Sequence, residues 1–154
     1  MTSDDVFRSR LESTIASLRY WVPQIADAAR IDEAQAPGFW KIAVTPHVSG
    51  GCPFELMLRT NQSFSLVLDK EVYEDLPADS LNMFLPLLDA ISEGRVIERH
   101  FVSAATGEVR RVMNIVDLGG GKVWQAGRET GPAVEETANI TLQCRDRHFL
   151  PYRR

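Results

Sequence analysis

The sequence predicts an α+β fold: a mostly antiparallel sheet packed against one strongly apolar helix, with an additional N-terminal amphipathic helix. Three observations carry that prediction. Large apolar residues occupy every second position from Phe54 to Leu58 and again from Phe64 to Leu68, the two-residue period of strands with one buried face. Leu81, Phe84, Leu85, Leu88 and Ile91 form a wide apolar stripe at helical spacing, broadened by Met83 and Leu87. Phe7, Leu11, Ile15, Leu18, Val22 and Ile25 recur at steps of three and four, which traces one face of a further helix.

Taken in order, residues 4–30 read as helix. Ser3 or Asp4 can cap its start, and the early acidic residues suit the helix dipole. Pro23 interrupts the pattern and predicts a kink or two abutting helices near Trp21-Val22. The Ala-rich stretch 26–36, ending at Pro37-Gly38, reads as helix exit and linker. Phe39–Thr45 alternates as a strand, and Pro46–Pro53 is a loop by its glycines and prolines. The hairpin 54–68 follows. Its six apolar residues share a face only if the loop has an odd length, most simply Asn61-Gln62-Ser63. Residues 70–77 leave the hairpin as a charged segment ending at Pro77.

The second helix spans about Asp79–Glu93. Pro86 within it implies either a kink or a later true start, and Gly94 is placed as its stop. Arg95–Ser103 and Glu108–Leu118 read as strands around the turn Ala104–Gly107, and Gly119-Gly-Gly121 turns into a strand at Lys122–Gly127. A loop over Arg128–Glu136 precedes a last strand, Asn139–Cys144. The chain reads as a single domain over 1–154, with an N-terminal helical segment 1–36 and a basic tail 145–154.

Composition narrows the function classes. A net charge of −4 and a pI near 5.4 argue against a dedicated nucleic-acid binder, which normally carries a basic stripe. Residues 1–77 carry 7 basic and 11 acidic side chains, whereas residues 78–154 carry 10 of each. The arginine-rich tail mixes cations with Phe149 and Tyr152. That suits phosphate and stacking contacts, or docking onto an acidic half of a second subunit. Two cysteines do not make a disulfide scaffold, no secretory signal opens the chain, and no apolar run is long enough to span a membrane. The expectation is a cytoplasmic protein with reduced thiols.

Two groups of residues could carry chemistry. His47 and Cys52 share a glycine-rich loop, and a thiol beside an imidazole can serve as a nucleophile. Cys144 and His148 could join them in a Cys2His2 zinc set, although the spacings are not those of a familiar finger. The plainer reading packs Cys52 beside Pro53 and turns Cys144 into the core. Second, a two-residue turn at Thr106-Gly107 would set His100 opposite Met113 and Arg99 opposite Asn114. Glu98, His100 and Arg111 would then share one side, and the carboxylate could hold the imidazole tautomer. A solvated cross-strand face of paired charges is the competing reading. Gly119-Gly-Gly-Lys122 is not a phosphate loop, because Val123 stands where a Ser or Thr is needed. Trp40 and Trp124 read as core or interface aromatics.

The segment Glu98-Arg-His-Phe-Val-Ser-Ala-Ala-Thr-Gly-Glu-Val-Arg-Arg-Val112 resembles the late hairpin of PAS sensor domains. The likeness implies two long strands joined by a Gly-Glu-Val-Arg turn, and no ligand or activity is carried over from it. A greasy helix against an antiparallel sheet is also similar to hotdog-type folds, a likeness of architecture that warrants no activity.

The function expected is that of a non-catalytic cytoplasmic module binding a protein partner or a small apolar ligand. The expectation includes no cofactor, no resident metal, no nucleic acid and no membrane. The apolar first helix is the expected homodimer interface. The alternative is a small enzyme using Cys52 with His47, or the Glu98/His100/Arg111 patch.

Overall fold

Pro23 decides where the first helix ends. In the computed structural model, which describes residues 3–130 and 141–153, α1 spans Ser3–Trp21 and gives way to a single 3₁₀ turn over Val22–Gln24. Proline has no N–H to donate to the Arg19 carbonyl, and its ring crowds that group, so the helix stops instead of kinking. Leu11, Ile15, Leu18 and Trp21 are buried, so the expected apolar face is used within the protein's own core.

The stretch expected as helix exit and linker contains a strand. β1 (Ala29–Ala36) pairs antiparallel with β2 (Phe39–Pro46) across the turn Pro37-Gly38. It lies at a sheet edge with most of its length exposed, so packing never imposed an apolar alternation on its sequence. Glu33 anchors it, accepting the Trp40 indole N–H at 2.6 Å and the Arg19 Nε–H at 2.5 Å.

β3 (Phe54–Arg59) and β4 (Ser63–Leu68) form the predicted hairpin. Phe54 faces Leu68, Leu56 faces Leu66 and Leu58 faces Phe64, and all six are at most 3% exposed. The loop has an odd length but is Thr60-Asn61-Gln62, one residue earlier than expected. Ser63 is drawn into the ladder opposite Pro77 of β5 (Glu71–Pro77), and Gln62 takes the left-handed turn position at φ 65°. β5, the charged segment expected only to leave the hairpin, completes a five-stranded meander in the order β1-β2-β3-β4-β5.

A 3₁₀ turn at Leu81–Met83 leads into α2 (Phe84–Ser92). Pro86 therefore sits in the first helical turn, where a missing N–H costs nothing. Phe84, Leu87, Leu88, Ala90 and Ile91 are fully buried, and the Phe84 ring meets Phe64 edge-on at 4.9 Å. The helix stops at Gly94, whose N–H donates to Ile91 O at 3.1 Å while the Arg95 N–H donates to Ala90 O at 3.0 Å. Those two hydrogen bonds and a φ of 78° at the glycine make a Schellman cap.

Four strands form a second antiparallel sheet, β6 (Val96–Ser103), β7 (Val109–Gly119), β8 (Lys122–Glu129) and β9 (Leu142–His148), in the order β8-β7-β6-β9. The register expected for β6 and β7 is off by one. His100 faces Val112, Glu98 faces Asn114 and Arg99 faces Met113. The cause is a bulge: Phe101 pairs with Arg111 and Val102 with Val109, leaving Arg110 as the extra residue. Residues 145–148 of the expected basic tail belong to β9. Beyond them Phe149 and Tyr152 are buried at 3% and 5% exposure, and the Tyr152 N–H donates to Ser92 O at 2.8 Å. The loop Gly131–Glu136 and Asn139-Ile140 lie outside the described residues.

The protein is thus α+β with two antiparallel sheets instead of one. The first sheet's apolar face and the two helices make the core, and the second sheet packs on α2 through β7. Among the described residues no helix is long and apolar enough to cross a membrane.

Candidate functional site

β5 is the edge of the first sheet, so its inward side chains Glu71 and Tyr73 meet the second sheet. Arg128 of β8 donates to the Glu71 carboxylate from Nε at 2.5 Å and from Nη2 at 2.9 Å. Those hydrogen bonds hold the Glu71 carboxyl below its ordinary value, against an opposing push from burial. Tyr73 Oη accepts from Asn114 Nδ2 at 2.7 Å and donates to Ala126 O at 3.2 Å, and its ring stands edge-on to Trp124 at 5.7 Å. Burial raises the phenol's pKa, and the Asn114 donor partly offsets it. On the same inner face, Glu98 is 8% exposed and accepts the Nε2–H of His100 at 2.7 Å. That bond orients the imidazole ring against the carboxylate. Arg147 of β9 donates to Asp69 at 3.0 Å, at the turn between β4 and β5.

This seam is a set of paired charges and hydrogen bonds joining two sheets. Asn114 is fully buried and its Oδ1 has no partner among the described residues, so satisfaction of the seam is incomplete. Its chemical capacity is an oriented imidazole beside a carboxylate.

The candidates read from sequence are distributed differently. Glu98 and His100 are brought together. Arg111 is not: the one-residue register difference turns it to the opposite side, over the Phe101 ring at 5.7 Å and 3.8 Å from Glu129. His47 and Cys52 are not joined. His47 is exposed, with its backbone N–H on Ala28 O, whereas Cys52 is fully buried with its thiol on Pro53 O at 3.5 Å. Burial, and then the Asp69 charge, push that thiol up to about 12, so almost no thiolate exists near neutral pH. Cys144, read as turning inward, is exposed on β9, as is His148. Among the described residues no three His, Cys, Asp or Glu side chains are grouped to hold a metal.

Glu71, Tyr73, Asn114 and Arg128 were not anticipated. Asn114 left a readable trace, since it stands on the inward side of Val112-Met-Asn114-Ile-Val116 between two valines. The other three depended on which edge strand meets which sheet.

Two surface grooves lie away from the seam. The larger, about 860 Å³, runs between α1 and residues 78–82. Two of the hydroxyls lining it, on Ser13 and Thr14, already bond back to the Ser9 and Arg10 carbonyls at 3.3 and 2.9 Å. The smaller, about 520 Å³, lies where the end of α1 meets α2, and is walled by Tyr20, Trp21, Leu85, Pro86 and Leu118. Tyr20 is 83% and Leu85 39% exposed. The Trp21 indole N–H is fixed on Asp89 at 3.2 Å. The chain matches no protein-family model, no curated protein and no solved structure.

Proposed function

We propose that the protein is a non-catalytic cytoplasmic binding module whose α1–α2 groove receives a bulky apolar side chain of a partner protein. The observation that carries this reading is the adjacency of exposed Tyr20 and Leu85 above the buried, hydrogen-bonded Trp21. Aromatic side chains held rigid beside aliphatic ones are the usual anchors of protein interfaces. The groove is open, whereas a pocket for a small ligand normally encloses most of its guest. A protein side chain is therefore the better fit than a free apolar molecule. The non-catalytic half is supported by the protonated, buried Cys52, by Arg111 facing away from His100, and by the Glu98–His100 pair's place in the seam. The free thiols Cys52 and Cys144 suit a reducing compartment.

Indole serves as a side-chain probe. Titrated to millimolar concentration, it is expected to shift the Trp21 indole and the Tyr20 and Leu85 amide resonances in a proton–nitrogen correlation spectrum. Leu85→Arg, a change at an exposed helix position, should abolish those shifts and leave the melting temperature near that of the native chain. Shifts that persist unchanged in the variant, or that scatter over other surfaces, would overturn the assignment.

A further inference from the structure

The α1–α2 groove is not apolar throughout. Beside its walls of Tyr20, Leu85, Pro86 and Leu118 stand one carboxylate, Asp89, and one guanidinium, Arg95. Asp89 is half-buried, and its Oδ1 accepts the Trp21 indole N–H at 3.2 Å. Among the described residues its other oxygen, Oδ2, accepts no hydrogen bond, although an ionised carboxylate has about four lone-pair sites. Arg95 is occupied by an ion pair, Nη2 to Glu93 at 3.1 Å, and Glu93 stands outside the lining.

These groups sort the side chains that can enter. A carboxylate drawn to Arg95 is repelled by Asp89, and a cation drawn to Asp89 is repelled by Arg95, so charge favours neither. An aliphatic side chain covers the walls, but it strips water from Asp89 Oδ2 without replacing the hydrogen bond, which costs free energy. Tryptophan meets every group at once. Its ring covers the apolar walls, its π face attracts a guanidinium, and its indole N–H is a donor with no acceptor to leave unmatched. The Trp21–Asp89 bond is the same contact made once already within the chain. We infer, granting that this groove takes a side chain of a partner protein, that the side chain is tryptophan. Asp89 is the residue that sets the specificity: one oxygen holds Trp21 and the other accepts the entering indole N–H.

Indole and 1-methylindole share a ring system, but the methyl group removes the donor. Titrated into the full chain and followed by the Trp21 indole and the Tyr20 and Leu85 amide resonances, indole is expected to bind about tenfold tighter, as befits a hydrogen bond to a charged acceptor. Asp89→Asn keeps one oxygen for the Trp21 N–H and replaces the other with an amide donor. It should lower the affinity for indole to that for 1-methylindole and leave the binding of 1-methylindole unchanged. Equal affinities in the native chain overturn the tryptophan assignment and leave the groove standing as a binding site. A preference for indole that persists in Asp89→Asn overturns the role of Asp89, as does a variant that loses 1-methylindole too, since Asp89 then acts only by holding Trp21. No shift at these three residues with either probe overturns the groove itself as a binding site, and the tryptophan assignment with it.

Discussion

Glu71 is a carboxylate that the fold keeps charged while nearly removing it from water. It is 7% exposed, yet the Arg128 fork holds its carboxyl below the ordinary value. A depressed folded-state pKa stabilises the protein fully above the unfolded carboxylate value of about 4.3, and that contribution is lost as pH falls through the folded value. Arg128→Ala removes the main cause of the depression and leaves burial opposed only by the nearby His100. The variant is expected to lose about 2 kcal/mol near pH 7, the cost of an unpartnered buried polar group. Half the Arg128 side chain is exposed, so water already screens the purely Coulombic share. The deficit should narrow as the pH falls below the unfolded value of about 4.3, and close only below the native protein's lowered value, where Glu71 is protonated in both proteins. Urea melts at pH 7 and pH 3.5 measure it, and a deficit equal at both pH values would show that the pairing is not the source.

At the scale of elements, the tightest constraint is the stop of α2. Gly94 and Gly107 have nearly the same backbone, φ 78° and 74°, but different surroundings. A Cβ on Gly94 would lie 2.5 Å from Pro151 N and 2.7 Å from Leu150 C, whereas one on Gly107 meets nothing within 4 Å. Gly107→Ala should therefore cost only the left-handed strain, about 1 kcal/mol. Gly94→Ala should cost that and the displacement of the C-terminal segment 149–152, more than about 3 kcal/mol in total. Equal losses in thermal melts would mean that this segment does not press on the helix end. The same elements show what a one-dimensional reading can reach. Phe54–Leu68 was legible because burial on one side imposes parity, and Pro23 and Gly94 because their backbones allow few alternatives. β1 and β5 were not, since an edge strand with much of its surface in water needs no alternation. The Arg110 bulge left no mark in residue type, and it alone separates Arg111 from Glu98 and His100. Phe149 and Tyr152 sit among arginines, so charge concealed two core residues.

Across the whole molecule the open question is whether two sheets make one folding unit. The apolar core is continuous: Trp40, Leu56 and Leu66 of the first sheet and Val96, Val116 and Trp124 of the second belong to one cluster through α2. The seam adds direction, because Tyr73 reaches from β5 to both Asn114 and Ala126. Burial of this kind is expected to make unfolding all-or-none. Fluorotryptophan incorporation gives separate fluorine signals for Trp40 in β2 and Trp124 in β8 without changing either core side chain. Their urea transitions are expected to superimpose. Tyr73→Phe, which removes the acceptor of Asn114 Nδ2 and the hydroxyl's bond to Ala126 O, should move both transitions together by about 1–2 kcal/mol. If Trp124 melted before Trp40, or moved alone in the variant, the second sheet would be a separately cooperative unit docked on α2. The seam would then be an interface able to open, and not a part of the core.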